Sequence, residues 1–307
     1  MRRARTVEQI IRLACLITLV LSGSISAQEL TPRAYWPAPK GTRVLVLGYS
    51  YQTGDVVTDL SLPITGVDST IHSGVVAYQQ TFSVLGRTSN LQVQLPFVEG
   101  TTKGQVRDVA GRRDVSGIGD FAATWSINLV GAPTLTLAEF QELRRNLRPI
   151  LAASIRIVAP TGEYESDRLI NIGTNRWAAR IRLGYMQPLS DKWLMELSIG
   201  SWFFEDNDDF LDVTREQEPI GAADLSIVRR FRPGFWASLD LNYYFGGRTT
   251  IDGIKGTDFQ RNSRAGLTLV YPLKPRHAVK VAFSNGIVTE SGGDFQTIAI
   301  NYVYVMN

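Results

Sequence analysis

Trp177-Ala178-Ala179-Arg180-Ile181-Arg182-Leu183-Gly184-Tyr185 is the stretch on which the fold turns. Trp177, Ala179, Ile181, Leu183 and Tyr185 are apolar, while Ala178, Arg180, Arg182 and Gly184 between them are small or charged. Successive side chains of a strand point to opposite faces, so this order makes one apolar and one polar face. Wound as a helix, the same residues would spread their apolar members around the whole circumference. The stretch therefore reads as a strand with two unlike sides.

The pattern recurs along the chain. Leu45, Leu47, Tyr49 and Tyr51 oppose Val46, Gly48, Ser50 and Gln52; Leu91, Val93, Leu95 and Phe97 oppose Gln92 and Gln94; Phe121, Trp125, Ile127 and Leu129 oppose Asp120, Thr124, Ser126 and Asn128. Trp193, Met195, Leu197 and Ile199 oppose Glu196, Ser198 and Gly200, and Phe235, Leu239, Leu241, Tyr243 and Phe245 oppose Ser238, Asp240 and Asn242. About twelve such segments are predicted, near 42–53, 74–85, 89–99, 118–130, 149–159, 175–187, 192–204, 219–231, 234–246, 262–272, 277–287 and 294–306. An even count places both ends of a barrel on one side.

The connections alternate in length. Gly54–Ser73, Gly100–Gly117, Pro160–Thr174, Glu205–Glu218 and Gly247–Arg261 are long, whereas Gly86–Thr88, Ser190–Asp191, Arg232–Pro233 and Leu273–Arg276 are short. Long outer loops and short periplasmic turns are the habit of outer-membrane barrels, and a soluble sandwich has no reason to follow it. One connection on the short side, Gly131–Arg148, is long. There Thr136 and Glu139 form a capping box ahead of Leu137, Phe140, Leu143 and Leu147, and Pro149 ends the run. The spacing predicts a short periplasmic amphipathic helix, lying on the membrane interface, tucked under the barrel as a partial plug, or packed on the rim.

Composition agrees once the basic end is set apart. The 307 residues carry a formal charge of +3 and a single Cys. Arg2, Arg3, Arg5 and Arg12 precede a short apolar run from Leu13 to Leu21 and the small residues Ser24-Ile25-Ser26-Ala27, the layout of a secretory signal peptide over residues 1–27. Those residues hold four Arg and Glu8, so basic residues fall from 32 to 28 and acidic ones from 29 to 28 in the remaining 28–307, expected to be a single barrel domain. The mature chain is neutral, which gives no electrostatic footprint for nucleic acid. Without cysteine it has no disulfide framework, and a strand ladder closed on itself in lipid supplies the missing stability. No segment reads as a continuous apolar helix of transmembrane length.

In a membrane barrel the apolar set faces lipid and the polar set faces the lumen; in a soluble sheet the apolar set is buried instead, so alternation alone does not choose. Mid-strand charges fall only on the polar set: Arg156, Arg180, Arg182, Glu196, Asp224, Asp240, Arg264 and Lys280. These are the candidate lumen-lining residues, read either as a selectivity lining for solutes or as an internal ion-pair network that fills a small barrel. Trp177, Tyr185, Trp193, Tyr243, Tyr271, Tyr302 and Tyr304 stand near strand ends, where aromatic girdles are expected.

Motifs for covalent chemistry are weak. Gly117-Ile118-Gly119-Asp120 has no helix after it and is no dinucleotide fingerprint. Asp206, Asp208, Asp209 and Asp212 with Glu205 form a loosely calcium-like loop, but Leu211 stands where such a loop needs glycine. A solvated loop, or divalent-ion bridging to lipopolysaccharide, are its two readings. His72 and His277 are the only histidines, no Ser/His/acid set can be assembled, and no cofactor motif is present. A barrel hydrolase would have to use His277.

Ala159-Pro160-Thr161-Gly162-Glu163-Tyr164, followed by Asn171-Ile172-Gly173-Thr174-Asn175-Arg176-Trp177, resembles the P-T-G-x-Y…G-x-N-x-W signature of the outer-membrane proteins grouped as the "putative meta-pathway of phenol degradation" family. Gly117-Ile118-Gly119-Asp120, Phe245-Gly246-Gly247-Arg248-Thr249, Asp252-Gly253 and Asn262-Ser263-Arg264 are similar to further segments of that family. The resemblance implies an outer-membrane β-barrel transporter for aromatic or other hydrophobic compounds, with no catalytic residues to carry over. Barrels of this kind often end on an aromatic residue read by the assembly machinery, whereas this sequence ends Tyr304-Val305-Met306-Asn307.

The expectation is an all-β, up-and-down transmembrane antiparallel barrel in a bacterial outer membrane, passing small solutes by passive diffusion without catalysis. Its partners would be lipid, lipopolysaccharide, the assembly machinery and a small-molecule solute. The rival expectation is a structural or adhesive barrel with a closed lumen, whose loops bind lipopolysaccharide or a partner.

Overall fold

The computed structural model describes residues 31–56, 64–106, 109–290 and 294–306, and the expected signal peptide lies outside them. Twelve antiparallel strands form the wall: β1 (Arg43–Gly54), β2 (Ile64–Val84), β3 (Arg87–Val106), β4 (Ala122–Val130), β5 (Ile150–Val158), β6 (Ala178–Pro188), β7 (Trp193–Phe204), β8 (Ile220–Arg232), β9 (Phe235–Gly246), β10 (Gln260–Lys274), β11 (His277–Val288) and β12 (Phe295–Val305). Each pairs with its neighbours in sequence, and β12 returns to β1 in a register from Val44↔Val305 to Gly54↔Phe295. The ring is closed. No backbone edge is left along the wall, which lipid requires because it offers no hydrogen bonds.

Strand starts and ends lie within a few residues of the predicted segments, with one systematic difference. Gly54–Ser73 and Gly100–Gly117, expected as loops, are largely strand: β2 begins at Ile64, β3 runs on to Val106, and a further strand, Val109–Ile118, pairs back along it from Val106↔Val109 to Phe97↔Ile118. This three-stranded flap extends the long-loop side: Ser69, Ile71 and Thr102 are buried at its base, while Val109–Ile118 is largely exposed on both faces. Neither face has to be apolar there, so the alternation that marks a membrane strand vanishes while the β-forming Thr and Val residues still pair.

The helix α1 (Leu137–Arg145) forms where the capping box predicts it. Thr136 caps it, its hydroxyl accepting from the Glu139 backbone N–H while the Glu139 carboxylate accepts from the Thr136 N–H at 2.7 Å. Phe140 and Leu143 are buried in one cluster with residues from the inner faces of β1, β5, β6, β7, β8, β9, β10, β11 and β12. Of the three predicted placements, the helix takes that of a partial plug.

Candidate functional site in the barrel lumen

The wall is inverted relative to a soluble sheet. Ile181 and Leu183 on β6 are 52% and 48% exposed, whereas Arg180 and Arg182 between them are 5% and 9% exposed. The same inversion holds for Leu197, Ile199, Leu239, Leu241, Leu267, Ile298 and Ile300, all exposed on the outside. An apolar belt of this extent is far beyond what a water-soluble surface tolerates, so its solvent is lipid. Aromatic residues rim it. Phe231, Phe235 and Tyr271 pack at the short-turn end with centroids 4.6 and 5.3 Å apart, the second pair edge to face, and Tyr243 and Phe245 stack toward the other end. Arg232 lies over Phe235 and Tyr271, a charge held at the interface by its long stem.

The structure places all eight predicted charged positions on the inner side of the wall by strand parity, and six of them, Arg180, Arg182, Asp224, Asp240, Arg264 and Lys280, are buried. Their contacts run through several strands of the wall. Arg182 donates to Asp224 at 2.7 Å and to Ser198 at 2.5 Å, and Ser198 donates to the same Asp224 oxygen. Asp240, on the next strand, accepts from Ser238 and Thr268 at 3.0 and 2.9 Å and lies within electrostatic reach of Lys280. Arg264 is stacked 3.8 Å from the Phe295 ring and donates to Ser284, while Arg156 donates to Gln94 at 3.2 Å. Glu196 meets a group the strand pattern does not reveal: its carboxylate accepts from the backbone N–H of Arg33 at 2.5 Å.

That group belongs to residues 31–42, which run inside the barrel before β1 begins. Trp36 is 2% exposed, with the Arg33 guanidinium 4.0 Å from its ring and 5.2 Å from that of Trp236. Thr31 accepts from Arg182 at 2.8 Å, the Tyr35 hydroxyl meets Ser154 at 2.9 Å, and the Tyr35 carbonyl accepts from Asn128 at 3.1 Å. Lys40 N–H donates to the Leu135 carbonyl, tying this segment to the approach to α1. Trp36, Ala38, Leu135, Phe140 and Leu143 pack against an inward apolar belt that includes Val46, Leu194, Val228 and Val270. At the short-turn end the inner face is therefore apolar, a departure from the expected polar lining. It is apolar because it packs against protein and not against water. Between this plug and the wall lies a small cavity of about 30 Å³ bordered by Thr31, Tyr35, Arg182, Glu196 and Asp224.

At the opposite end the family-like motifs meet in space. The Asp120 carboxylate accepts from Gly162 N–H and Thr174 N–H at 2.9 Å each, and from the Thr174 hydroxyl at 2.8 Å. Phe121 N–H donates to the Thr161 hydroxyl, Glu163 N–H to the Ile118 carbonyl, and Gly173 N–H to the Glu163 carbonyl. A Cβ on Gly173 would come within 2.7 Å of the Gly162 backbone, so the two loop arms cross where only glycine fits. The motifs thus tie the 160–176 loop to the start of β4.

The acidic loop is a hairpin of strands Asn207–Phe210 and Val213–Gln217, turned at Leu211 and Asp212, both at positive φ. Alternation sends Asp208 and Asp209 to opposite sides; Asp208 accepts from Thr214, and the Asp209 carbonyl accepts from Tyr164. Asp206, Asp208, Asp209 and Asp212 are not brought together, and no metal-competent cluster of acidic, His or Cys residues occurs among the described residues. His277 stands beside Tyr302 and Tyr304, and His72 beside Tyr49 and Tyr51. Both belong to the barrel's aromatic rims.

In comparison with known proteins, the chain is similar in structure to an outer membrane channel from Pseudomonas putida F1, at a TM-score of 0.77 and 25% identity over 91% of this chain and 100% of that one. It is more distantly similar to the beta domain of the Bordetella autotransporter BrkA (TM-score 0.49, 12% identity, 87% and 100% covered) and to the transport unit of the autotransporter AIDA-I from Escherichia coli (TM-score 0.48, 8% identity, 96% and 97% covered). No curated protein matches. The family model described as "Putative MetA-pathway of phenol degradation" matches residues 45–302, from the start of β1 to near the end of β12, and the chain belongs to that family of outer-membrane β-barrels.

Proposed function

We propose that the protein is a passive outer-membrane channel for small aromatic or hydrophobic solutes, exported by its N-terminal signal peptide and set into the membrane by the barrel assembly machinery. The observation that carries this reading is the inverted wall: a closed ring with an apolar outside and buried charges inside is built to hold a polar path across lipid. Its likeness to an outer membrane channel supports the same reading, and the phenol-degradation family description supports an aromatic solute.

Residues 31–42 and α1 close the short-turn end at rest, so passage requires the plug to shift. A plug held by cation–π contacts of Arg33, Arg182 and Arg230, a few hydrogen bonds and an apolar belt is suited to local opening, because its backbone pairing with the wall lies at its very end, Gly41 and Thr42 with Thr81 of β2. The long-loop end, with its ordered knot at Asp120, is the side that meets lipopolysaccharide.

The test is reconstitution of the mature protein into planar bilayers after folding in detergent. A heat-modifiable gel shift with discrete current steps is expected. A heat-modifiable barrel that carries neither current nor solute flux would reject the channel and favour the closed, adhesive barrel.

A further inference from the structure

Two arginines compete for one carboxylate in the lumen. Arg182 holds Asp224 Oδ2 at 2.7 Å, and Arg180 stands 3.6 Å from the same oxygen. Ser198 also donates to that oxygen, and Asn242 donates to the other one. The aspartate is committed to its partners before Arg180 is reached. Arg180 Nε and Nη2 are buried with no hydrogen-bond partner among the described residues. Asp224 thus meets Arg182 closely and leaves the Arg180 guanidinium, 3.6 Å away, under-paired.

The surroundings of that charge are aromatic. Arg180 lies 5.5 Å from the centroid of Trp202, its cross-strand neighbour on β7, whose own Nε1 is buried without a partner among the described residues. Trp202 packs in a cluster with Ile220, Ala222 and Tyr244, and the Tyr244 phenol is within electrostatic reach of both Arg180 and Arg264. The level thus joins the unspent N–H donors of an under-paired guanidinium to aromatic side chains.

We propose that Arg180, Trp202 and Tyr244 form a lumenal subsite for the carboxylate of a small aromatic acid, the carboxylate taken by Arg180 and the ring laid against Trp202 and Tyr244. This rests on the channel reading and narrows its solute from neutral aromatics to aromatic monoanions. A neutral hydrocarbon has nothing to offer an under-paired guanidinium, and a cation is repelled by it. A planar carboxylate matches the guanidinium fork and supplies Arg180 with the close acceptor that Asp224 gives to Arg182.

Two measurements on the full mature barrel decide it. Saturation-transfer NMR on detergent-folded protein reads binding of benzoate against benzyl alcohol, whether or not the barrel conducts. Benzoate is expected to bind more tightly than benzyl alcohol, to weaken about tenfold in Arg180→Gln, the scale of one lost charge-assisted hydrogen bond, and to recover partly in Arg180→Lys. Reversal potentials under a KCl gradient are expected to show anion preference, reduced in Arg180→Gln. Arg182→Gln, which frees Asp224 to pair with Arg180, is expected to reduce both readouts as well. Equal binding of benzoate and benzyl alcohol, or benzoate binding indifferent to Arg180, overturns the subsite. Arg180-dependent benzoate binding in a barrel that never conducts would uphold the subsite and reject the channel.

Discussion

The ring of Tyr35 occupies the space that a side chain on Gly184 would fill: a Cβ there would lie 2.1 Å from Tyr35 Cε2. Gly184 faces the lumen from the middle of β6, and the plug residue seats its ring directly on that bare backbone. Gly184→Ala is expected to unseat Tyr35 without breaking the wall, because overpacking of this kind costs about 1–3 kcal/mol and the plug is the softer partner. Single-channel recording should show a larger conductance than the parent protein. An unchanged conductance would mean that Tyr35 does not obstruct the path.

Trp36→Ala removes the largest buried side chain of the plug. Truncating a buried Trp costs about 3–5 kcal/mol, here charged to docking of residues 31–42 and not to the ring of strands. Limited proteolysis of reconstituted barrels should cut the N-terminal segment of the variant first, while the heat-modifiable shift of the barrel persists. Loss of the gel shift would show instead that the plug and the wall form one cooperative unit.

Asp120→Ala leaves Gly162 N–H, Thr174 N–H and the Thr174 hydroxyl without their shared acceptor. Hydrogen bonds to a charged group contribute about 1.5–3 kcal/mol each when buried, and less at a loop that water can enter. The 160–176 loop is expected to become protease-sensitive with the barrel intact, and Asp120→Asn should retain part of the knot by accepting through one oxygen. Equal protection of the loop in parent and variant would contradict this role.

The capping box on α1 carries a pH dependence of known sign. Hydrogen bonds from the Thr136 backbone and hydroxyl hold the Glu139 carboxyl below its ordinary value of 4.5. A lowered folded-state pKa stabilises the helix above the unfolded value, and that contribution disappears as pH falls through the folded one. Acidification below about pH 4 is therefore expected to loosen α1 and raise channel openings, an effect absent in Glu139→Gln. Openings that rise equally in both proteins would assign the acid effect to another group.

The opposite sign holds at the other end of the barrel. Burial, and then the neighbouring Asp294 carboxylate, raise the pKa of Asp55 just beyond β1. Folding favours its protonated form, so its contribution is present at low pH and lost as pH rises through the folded value. Asp55→Asn should therefore raise the thermal midpoint at neutral pH and leave it nearly unchanged near pH 3. A lower midpoint at neutral pH would show that the ionised form makes contacts worth more than its burial costs.

How much was legible depends on the distance along the chain over which each signal acts. Alternation in Trp177–Tyr185 is local, set by the geometry of a strand, so strand positions and the inward side of Arg180 and Arg182 could be read directly. The capping box at Thr136 and Glu139 spans three residues and located α1 equally well. The plug carried a fainter signal. Ala34-Tyr35-Trp36-Pro37-Ala38-Pro39 is too apolar for a free tail and too rich in proline for a strand, but nothing in it names Trp236 or Glu196 as its partners. The flap escaped notice because strands in water need no apolar face.

By itself the sequence determined a ring of twelve strands, which of its faces is charged, and a helix at the short-turn end, because each follows from backbone geometry over a few residues. Only the tertiary structure decided which face meets lipid, that residues 31–42 fold back into the lumen, and that Asp224 is held more closely by Arg182 than by Arg180. Those outcomes depend on contacts such as Arg33 with Glu196, 163 residues apart, whose energy exists only once the ring has closed around them.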